Sequence, residues 1–105
     1  MDAKITFIRF VIIEGNTIES NISTDGSIIT LSANGNKFDR NVVQNNASNY
    51  STIGISGYAT KPTISNGLLV GNTVTSTGSG AISISGYSEA KIINSTIANN
   101  KDWGI

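Results

Sequence analysis

The fold is decided by a short pattern at residues 13–18, which reads Ile13-Glu14-Gly15-Asn16-Thr17-Ile18. An asparagine stands between two apolar residues, three positions after the first and two before the second. The same apolar-x-x-Asn-x-apolar order returns at residues 38–43, at 69–74 and, with serine at the asparagine position, at 92–97. Four occurrences in a 105-residue chain indicate a structural repeat rather than isolated turns.

A second pattern, apolar-x-apolar, alternates with the first. It occurs at residues 5–7, 29–31, 53–55 and 82–84, and begins again at Ile105. The spacings between its starts are 24, 24, 29 and 23 residues, which lie in the range of solenoid repeats. One coil of this length cannot bury its apolar side chains alone, so the pattern predicts coils that stack on each other.

The predicted fold is therefore all-β, a right-handed parallel β-helix (β-solenoid) of about four coils of 23–29 residues, forming a single domain over residues 1–105. The right hand follows from the usual handedness of parallel crossover connections. Three interior rows are predicted: Ile5, Ile29, Ile53 and Ile82; then Ile13, Phe38, Leu69 and Ile92; then Ile18, Val43, Val74 and Ile97.

The asparagine position is predicted to mark a sharp bend in each coil. Asparagine tolerates left-handed backbone angles, and its amide can bond the backbone of the next coil. We expect Asn16, Asn41 and Asn72 to stack as a ladder, with the Ser95 hydroxyl at its end. The third coil is longer than the others, and its extra residues are assigned to 58–66, which contain Lys61 and the only proline. This insertion is either a neutral surface loop or part of a binding face.

The composition excludes several functions. The formal net charge is zero and only 13% of residues are charged, which argues against a nucleic-acid partner. There is no cysteine and no histidine, so thiol nucleophiles, Ser-His-Asp triads and zinc sites of the usual ligands are excluded. Lys4 and Arg9 interrupt the apolar N-terminal stretch, which therefore predicts neither a signal peptide nor membrane insertion. We expect no metal and no cofactor.

The repeated segments over residues 5–105 resemble the right-handed parallel β-helix family. That family includes pectate lyases, polygalacturonases, alginate epimerases, bacteriophage tailspikes and bacterial surface adhesins. The resemblance implies a polysaccharide as partner and an extracellular, cell-surface or virion location. The hydrolase branch carries Asn-Thr-Asp, Asp-Asp, Gly-His-Gly and Arg-Ile-Lys segments, none of which is present. The nearest match, Asn16-Thr17-Ile18, has isoleucine in place of the acid.

One group of charged residues is a weak candidate for a catalytic site. In the repeat alignment Glu14 stacks on Asp39, and Arg40 follows directly. Adjacent coils would place the two carboxyl groups roughly 5 Å apart, near the separation of a retaining glycosidase pair. The alternative is a solvated, salt-bridged surface cluster, which is much more common.

Aromatic residues give the stronger prediction of a binding site. The sequence Ile-Ser-Gly-Tyr occurs at residues 55–58 and again at 84–87, so Tyr58 and Tyr87 are equivalent positions on neighbouring coils. A tyrosine row on the outer surface can pack against a sugar face. We therefore assign Tyr58, Tyr87 and Lys61 as candidate ligand-binding residues. The alternative is that the two rings only cover each other and the corner.

Three function classes remain open. The first is a non-catalytic β-helix segment, either a structural shaft or a glycan-binding module of a surface, secreted or phage tail protein. The second is a fragment of a polysaccharide lyase or glycoside hydrolase. The third is an ice-binding β-solenoid, for which the outward row would be Thr17, Val42, Thr73 and Thr96. The repeat phase also predicts that the chain adjoins further coils of a longer solenoid or self-associates through its ends.

Overall fold

The structure is a computed structural model, and it describes residues 5–7, 11–57, 60–76 and 79–101. These residues form strands of two or three residues joined by tight bends, without any helix. Isoleucine, valine and threonine favour such strands, whereas asparagine, glycine and serine favour the bends. The strands are β1 (Ile5–Phe7), β2 (Ile12–Glu14), β3 (Thr17–Glu19), β4 (Ile22–Ser23), β5 (Ile29–Leu31), β6 (Lys37–Asp39), β7 (Val42–Gln44), β8 (Ala47–Ser48), β9 (Ile53–Ile55), β10 (Thr63–Ser65), β11 (Leu68–Val70), β12 (Thr73–Val74), β13 (Ile82–Ile84), β14 (Lys91–Ile93) and β15 (Thr96–Ala98).

The strands form four parallel sheets, and the chain visits each sheet once in every turn. The first sheet has the order β1-β5-β9-β13, and the second has β2-β6-β10-β14. The third sheet has the order β3-β7-β11-β15, and the fourth has β4-β8-β12. The chain thus completes three turns and most of a fourth. This arrangement confirms the predicted all-β fold, a parallel β-helix in which successive coils stack as a β-solenoid.

The first interior row follows the prediction. In the first sheet Ile29 pairs with Ile5 on one side and with Ile53 on the other, and Ile53 pairs with Ile82. Ile29, Ile53 and Ile82 are buried completely or nearly so. The two apolar positions of β5 and β9 point inward, because side chains alternate along a strand.

The other two predicted rows are wrong in the third coil. The second row contains Ile64 between Phe38 and Ile92, where Leu69 was expected. Leu69 instead lies in the third row, between Val43 and Ile97, where Val74 was expected. Val74 belongs to the fourth sheet and pairs with Ser48. The predicted alignment of the third coil is shifted by one bend after its first strand, so Leu69 and Val74 are each assigned to the wrong sheet. The shift arises because each coil contains two successive five-residue units of the same form.

The assignment of the insertion also changes. Leu31 and Phe38 are seven positions apart, whereas the equivalent Ile55 and Ile64 are nine apart. The remaining extra residues lie after the fourth sheet, since Val74 and Ile82 are eight positions apart and the equivalent Ser48 and Ile53 only five. The insertion is therefore divided between two bends. One connects the first sheet to the second, and the other connects the fourth sheet to the first. Part of the predicted loop at 58–66 is strand β10.

The predicted threonine row is not formed. The outward column that begins at Thr17 continues through Val42, Leu68 and Thr96. Thr73 lies in the fourth sheet, beside Ala47. With only its two end positions occupied by threonine, this column lacks the regular hydroxyl row on which the ice-binding hypothesis rested.

Each turn contains two bends of the same form, one after the second sheet and one after the third. We call these the first corner and the second corner. Each opens with a residue in the left-handed region, with φ between 49° and 67°, a conformation that glycine and asparagine adopt at least cost. At the first corner these residues are Gly15, Arg40, Asn66 and Asn94, and at the second corner they are Ser20, Asn45, Gly71 and Asn99.

The second corner carries an unbroken ladder of asparagines. Asn72 Oδ1 accepts hydrogen bonds from the backbone N–H and the Nδ2 of Asn46, both at 3.0 Å. Asn100 Oδ1 accepts the same pair from Asn72, at 2.9 and 3.0 Å. Asn46 Oδ1 accepts them from Asn21, at 2.9 and 3.1 Å. Because Asn46 and Asn72 are almost fully buried, these bonds satisfy amides that would otherwise be costly.

The first corner has a shorter ladder. Asn41 Oδ1 accepts from the backbone N–H of Asn16 at 2.9 Å, but the next coil has Gly67 at the equivalent position. The Gly67 N–H donates to Ser95 Oγ at 3.1 Å. The Ser95 hydroxyl therefore accepts a hydrogen bond from the preceding coil at the last position of this corner, as predicted. Asn72, which was expected in this ladder, belongs to the one at the second corner.

We predict that the interior is sensitive to truncation at the rows just described. Ile53→Ala and Leu69→Ala should each lower the free energy of unfolding by roughly 2–5 kcal/mol, because both side chains are fully buried in a narrow core. Thr30→Ala on the outer face of the first sheet is the matched control, with an expected loss below about 0.5 kcal/mol. Chemical denaturation measures all three. Equal losses at Thr30 and Ile53 would contradict the inward and outward assignment.

Candidate functional site

A groove lies along the outer face of the first sheet. The outward residues at the middle of β5, β9 and β13 are Thr30, Gly54 and Ser83, which are aligned across the sheet. All three are small, so the face between its flanking loops is concave. The groove has a volume of about 290 Å³. Its lining residues are Asp25, Gly26, Ser27, Thr30, Tyr50, Gly54, Ile55, Ser56, Ser83 and Ser85.

Gly54 determines the depth of the groove. A β-carbon at this position would lie 2.6 Å from Ser27 Oγ, which is closer than real contacts allow. Ser27 cannot easily move away, because its hydroxyl shares a 2.7 Å hydrogen bond with the buried Ser51 hydroxyl. Glycine is therefore required by a close approach, and the outer surface of β9 has no side chain to fill the groove.

Tyr50 and Asp25 lie on the side of the groove formed by the bend between the fourth sheet and the first. Tyr50 keeps 54% of its surface exposed, so its ring is accessible from the groove. Asp25 is exposed as well, and it is the one carboxylate among the described residues of the lining. None of these described lining residues is a lysine or an arginine. The groove thus combines hydroxyl groups, one exposed ring and one carboxylate.

The structure places Glu14, Asp39 and Arg40 together, as the sequence predicted. Glu14 and Asp39 are paired positions of β2 and β6. Arg40 bridges them: its Nη2 lies 3.0 Å from Glu14 Oε2, and its Nε lies 2.8 Å from Asp39 Oδ2. Both Arg40 and Glu14 are more than half exposed, so this is a solvated ion-pair cluster whose contribution to stability is small.

Asp39 is held in its charged form by neighbouring donors. Asn66 Nδ2 and Ser65 Oγ each donate to Asp39 Oδ1 at 2.8 Å. These two hydrogen bonds, and then the positive charge of Arg40, lower the pKa of the Asp39 carboxyl below its ordinary value. A general acid in glycoside hydrolysis needs the opposite shift. Among the described residues, no group of three or more acidic, histidine or cysteine side chains could hold a metal ion.

Two of the three predicted ligand-binding residues, Lys61 and Tyr87, do not line the groove. Lys61 Nζ lies 3.4 Å from Glu89 Oε2, and both residues line a second cavity of about 320 Å³ with Pro62, Thr63, Ala90 and Lys91. Tyr87 is 78% exposed and lines neither this cavity nor the groove. Tyr58 lies outside the described residues. The backbones beside the two tyrosines are close, since a β-carbon on Gly86 would lie 2.8 Å from the Gly57 carbonyl oxygen.

The sequence contains one signal for the groove, apart from the inward positions of the repeat. In the apolar-x-apolar segments the middle residue is threonine, glycine or serine, never a large side chain. Once the isoleucines are assigned inward, these small residues define a column on the outer face. Tyr50 could not be placed beside that column from sequence, because it belongs to a bend rather than to a repeat position.

The chain matches no protein-family model, and comparisons with the curated proteins and with the solved structures find no significant match. Within the ranges that the structure describes, no helix has the length and apolar character that crossing a membrane requires.

The Asp39 network leads to a prediction for its titration. Asn66→Gly removes the amide donor but keeps a residue that accepts the left-handed bend, so the pKa of Asp39 should rise toward its ordinary value. Arg40→Gly, at the equivalent corner position, is the matched control and should raise the pKa less. NMR titration of the Asp39 carboxyl measures both. A larger rise in Arg40→Gly would show that the ion pair, rather than the amide, holds this carboxylate.

The same shift gives the sign of a pH effect. Because the folded-state pKa of Asp39 is lowered, its interactions stabilise the fold above the unfolded-state pKa, and this stabilisation is lost as the pH falls through the folded-state value.

Proposed function

We propose that this protein is a non-catalytic β-helix module that binds a neutral polysaccharide in the groove on its first sheet. The observation that carries this proposal is the concave, hydroxyl-lined face between Tyr50 and the Ser83–Ser85 strand end. The module would belong to a surface, secreted or phage tail protein. That setting, and the extracellular, cell-surface or virion location, rest on the resemblance of the repeats to the parallel β-helix family.

The hydroxyl groups support a sugar ligand. Thr30, Ser56, Ser83 and Ser85 each offer a hydroxyl that both donates and accepts hydrogen bonds. Sugar hydroxyls have the same dual character, so a row of them along a polysaccharide can pair with a row on the sheet. Successive coils repeat at about 4.8 Å, which gives the row a regular spacing.

Tyr50 supports the same ligand in a different way. A half-exposed tyrosine ring offers an apolar face and a polar hydroxyl at its rim. The axial C–H groups of a pyranose can pack on such a face while its hydroxyls contact the serines of the floor.

Charge restricts the class of sugar. The described lining residues include the Asp25 carboxylate but no lysine or arginine, so they offer a polyuronate no cationic partner. A neutral glycan needs no such partner, because its hydroxyls can pair with the hydroxyls of the lining. We therefore assign the groove to uncharged saccharides rather than to pectate- or alginate-like polymers.

The alternative function, a fragment of a polysaccharide lyase or glycoside hydrolase, would have to use Glu14, Asp39 and Arg40. Arg40 contacts both carboxylates, and the pKa of Asp39 is shifted away from the range of a general acid. This arrangement favours a structural ion-pair cluster over a catalytic pair. The non-catalytic proposal is the better supported of the two.

The proposal predicts binding on a glycan array without release of reducing ends in a depolymerisation assay run beside it. Tyr50→Ala should weaken binding of a neutral oligosaccharide about tenfold, because one stacking contact is lost. Ser83→Phe should also weaken binding, by filling the groove from its outer face. Tyr87→Ala is the matched control, since this exposed tyrosine does not line the groove and its loss should leave the affinity unchanged.

The results that contradict the proposal are distinct. If Tyr87→Ala or Lys61→Ala abolishes binding while Tyr50→Ala does not, the binding site includes Tyr87 and Lys61, on the bends between the first and second sheets. If product is released, and release stops in Asp39→Asn, the protein is an enzyme. If no neutral glycan binds, the groove is not a saccharide site.

A further inference from the structure

We propose that Asn66 and Gly67 form a site of spontaneous covalent self-modification, which the hydrogen bonds of the first corner hold closed in the folded protein. The reaction converts the Asn66 side-chain amide to a carboxylate, with water as the co-reactant and ammonia as the second product. The inference does not depend on the groove. It rests on the contacts around one Asn-Gly pair in the third coil.

An asparagine followed by glycine is chemically labile. The backbone nitrogen of the glycine can attack Cγ of the asparagine side chain, because glycine has no β-carbon to obstruct the approach. A bond forms between this nitrogen and Cγ, the nitrogen gives up its proton, and the side-chain nitrogen leaves as ammonia. Water then opens the resulting cyclic imide at either carbonyl, which yields aspartate or isoaspartate.

The third coil contains this pair because its first corner is built differently from the others. Asn66 adopts the left-handed conformation of the corner with a φ of 52°, and Gly67 takes the position that holds asparagine or serine in the other coils. The equivalent pairs are Gly15-Asn16, Arg40-Asn41 and Asn94-Ser95. Gly15-Asn16 has the same two residues in the reverse order, so the fold does not require the reactive order.

Both polar atoms of the Asn66 amide are bonded in the folded protein. Nδ2 donates to Asp39 Oδ1 at 2.8 Å, and Oδ1 accepts from Asn94 Nδ2 at 2.7 Å. Asp39 lies on the preceding coil and Asn94 on the following one, so the amide is held between two coils. Rotation of the amide toward the Gly67 nitrogen requires these bonds to break.

The attacking nitrogen is held as well. The Gly67 N–H donates to Ser95 Oγ at 3.1 Å, and the Ser95 hydroxyl in turn bonds to the Ile93 carbonyl at 3.0 Å. Gly67 is buried, so water and bases have little access to the proton that its nitrogen must lose. The reaction therefore requires a local opening of the first corner.

The product does not fit the closed corner. A carboxylate at position 66 has no proton to donate to Asp39, whose Oδ1 now accepts from Asn66 Nδ2 and Ser65 Oγ. Two carboxylates would meet where the amide now bridges the coils, and Arg40 is already bonded to Asp39 and Glu14. An opening of the corner is thus followed by a covalent change that disfavours its closure.

The first test measures the rate of Asn66 conversion by peptide mass spectrometry, at one pH and temperature, in the folded protein and in concentrated urea. Asn34-Gly35 is the other Asn-Gly pair of the chain, and its conversion in urea confirms that the conditions allow the reaction. In the folded protein Asn66 should react roughly a hundredfold more slowly than in urea, because several hydrogen bonds must open first. The product should include isoaspartate, which forms from the cyclic imide but not by direct hydrolysis of the amide.

Variants that remove one partner should release the site. Asn94→Gly keeps a residue that accepts the left-handed bend but removes the donor to Asn66, and Ser95→Ala removes the acceptor of the Gly67 N–H. Each should speed the conversion in the folded protein about fivefold. Asn45→Gly makes the same change at a left-handed position of the second corner and should leave the rate unchanged. Circular dichroism melts identify conditions under which every variant is folded.

The second test imitates the product. Asn66→Asp should lower the ratio of folded to unfolded protein about tenfold at neutral pH, because a donor to Asp39 is lost and like charges meet. The double variant Asn66→Asp/Asp39→Asn exchanges the amide and the carboxylate, so a donor again faces an acceptor, and it should recover most of the stability. Chemical denaturation of both variants, and of Asp39→Asn alone, measures this coupling.

Four results would overturn the proposal. Asn66 could react as fast in the folded protein as in urea, or Asn94→Gly and Ser95→Ala could leave its rate unchanged. Either result would show that the corner does not hold the site closed. Asn66→Asp could be as stable as the wild type, or its loss of stability could persist in the double variant. Either of these would show that the product does not conflict with Asp39.

Discussion

The structure depends on one hydrogen-bonded group, the buried side-chain amide that links consecutive coils at the second corner. A bend after only three strand residues leaves backbone N–H and C=O groups that no sheet can pair. Asn46 and Asn72 satisfy these groups because each Oδ1 accepts two hydrogen bonds from the preceding coil, and each Nδ2 donates to a carbonyl of that same coil. Each backbone N–H and Nδ2 also donates to the asparagine Oδ1 of the following coil. The ladder thereby fixes which coil follows which, and it sets the register of both flanking sheets.

With the register fixed, the rest of the molecule follows from side-chain alternation. In the second and third sheets the middle side chain of each three-residue strand faces inward, so each strand contributes one core residue. A strand whose two end side chains face inward contributes two core residues. The first sheet is of the second kind, so its isoleucines fill the interior while its single middle position faces solvent. The groove exists because threonine, glycine and serine occupy that middle position in consecutive coils. The same stacking that builds the core therefore shapes the candidate site.

The parts of this architecture that sequence could predict are those with one unambiguous period. The Ile-x-Ile segments occur once per coil, so Ile29, Ile53 and Ile82 were assigned correctly. The asparagine pattern occurs twice per coil, in successive five-residue units. In the third coil the first unit has Gly67 at the position where the other coils have asparagine or serine. The sequence pattern therefore aligned Asn72, which belongs to the second unit, with the first units of the other coils. Residues 67–72 correspond to 41–46, so Asn72 is the equivalent of Asn46 and Gly67 that of Asn41.

The candidate site was harder to predict than the fold. Glu14, Asp39 and Arg40 were brought together because they occupy equivalent or adjacent positions of the repeat. Their chemistry depends on Asn66 and Ser65, which the incorrect register of the third coil had placed in a loop. The groove depends on contacts outside the repeat: Tyr50 lies on a bend, and the closeness of Ser27 to Gly54 is a property of packing. Such lateral neighbours have no period in sequence.

The most direct measurement of the central claim is the stability of Asn72→Ala relative to Asn34→Ala by chemical denaturation. Asn72 is fully buried, and its loss leaves the Asn46 backbone N–H and the Val43 carbonyl without their partner. The account predicts a loss of roughly 2–5 kcal/mol in the free energy of unfolding for Asn72→Ala. For the exposed turn residue Asn34 it predicts a loss below about 0.5 kcal/mol. Equal, small losses for both variants would contradict the claim that the asparagine ladder holds the coils together.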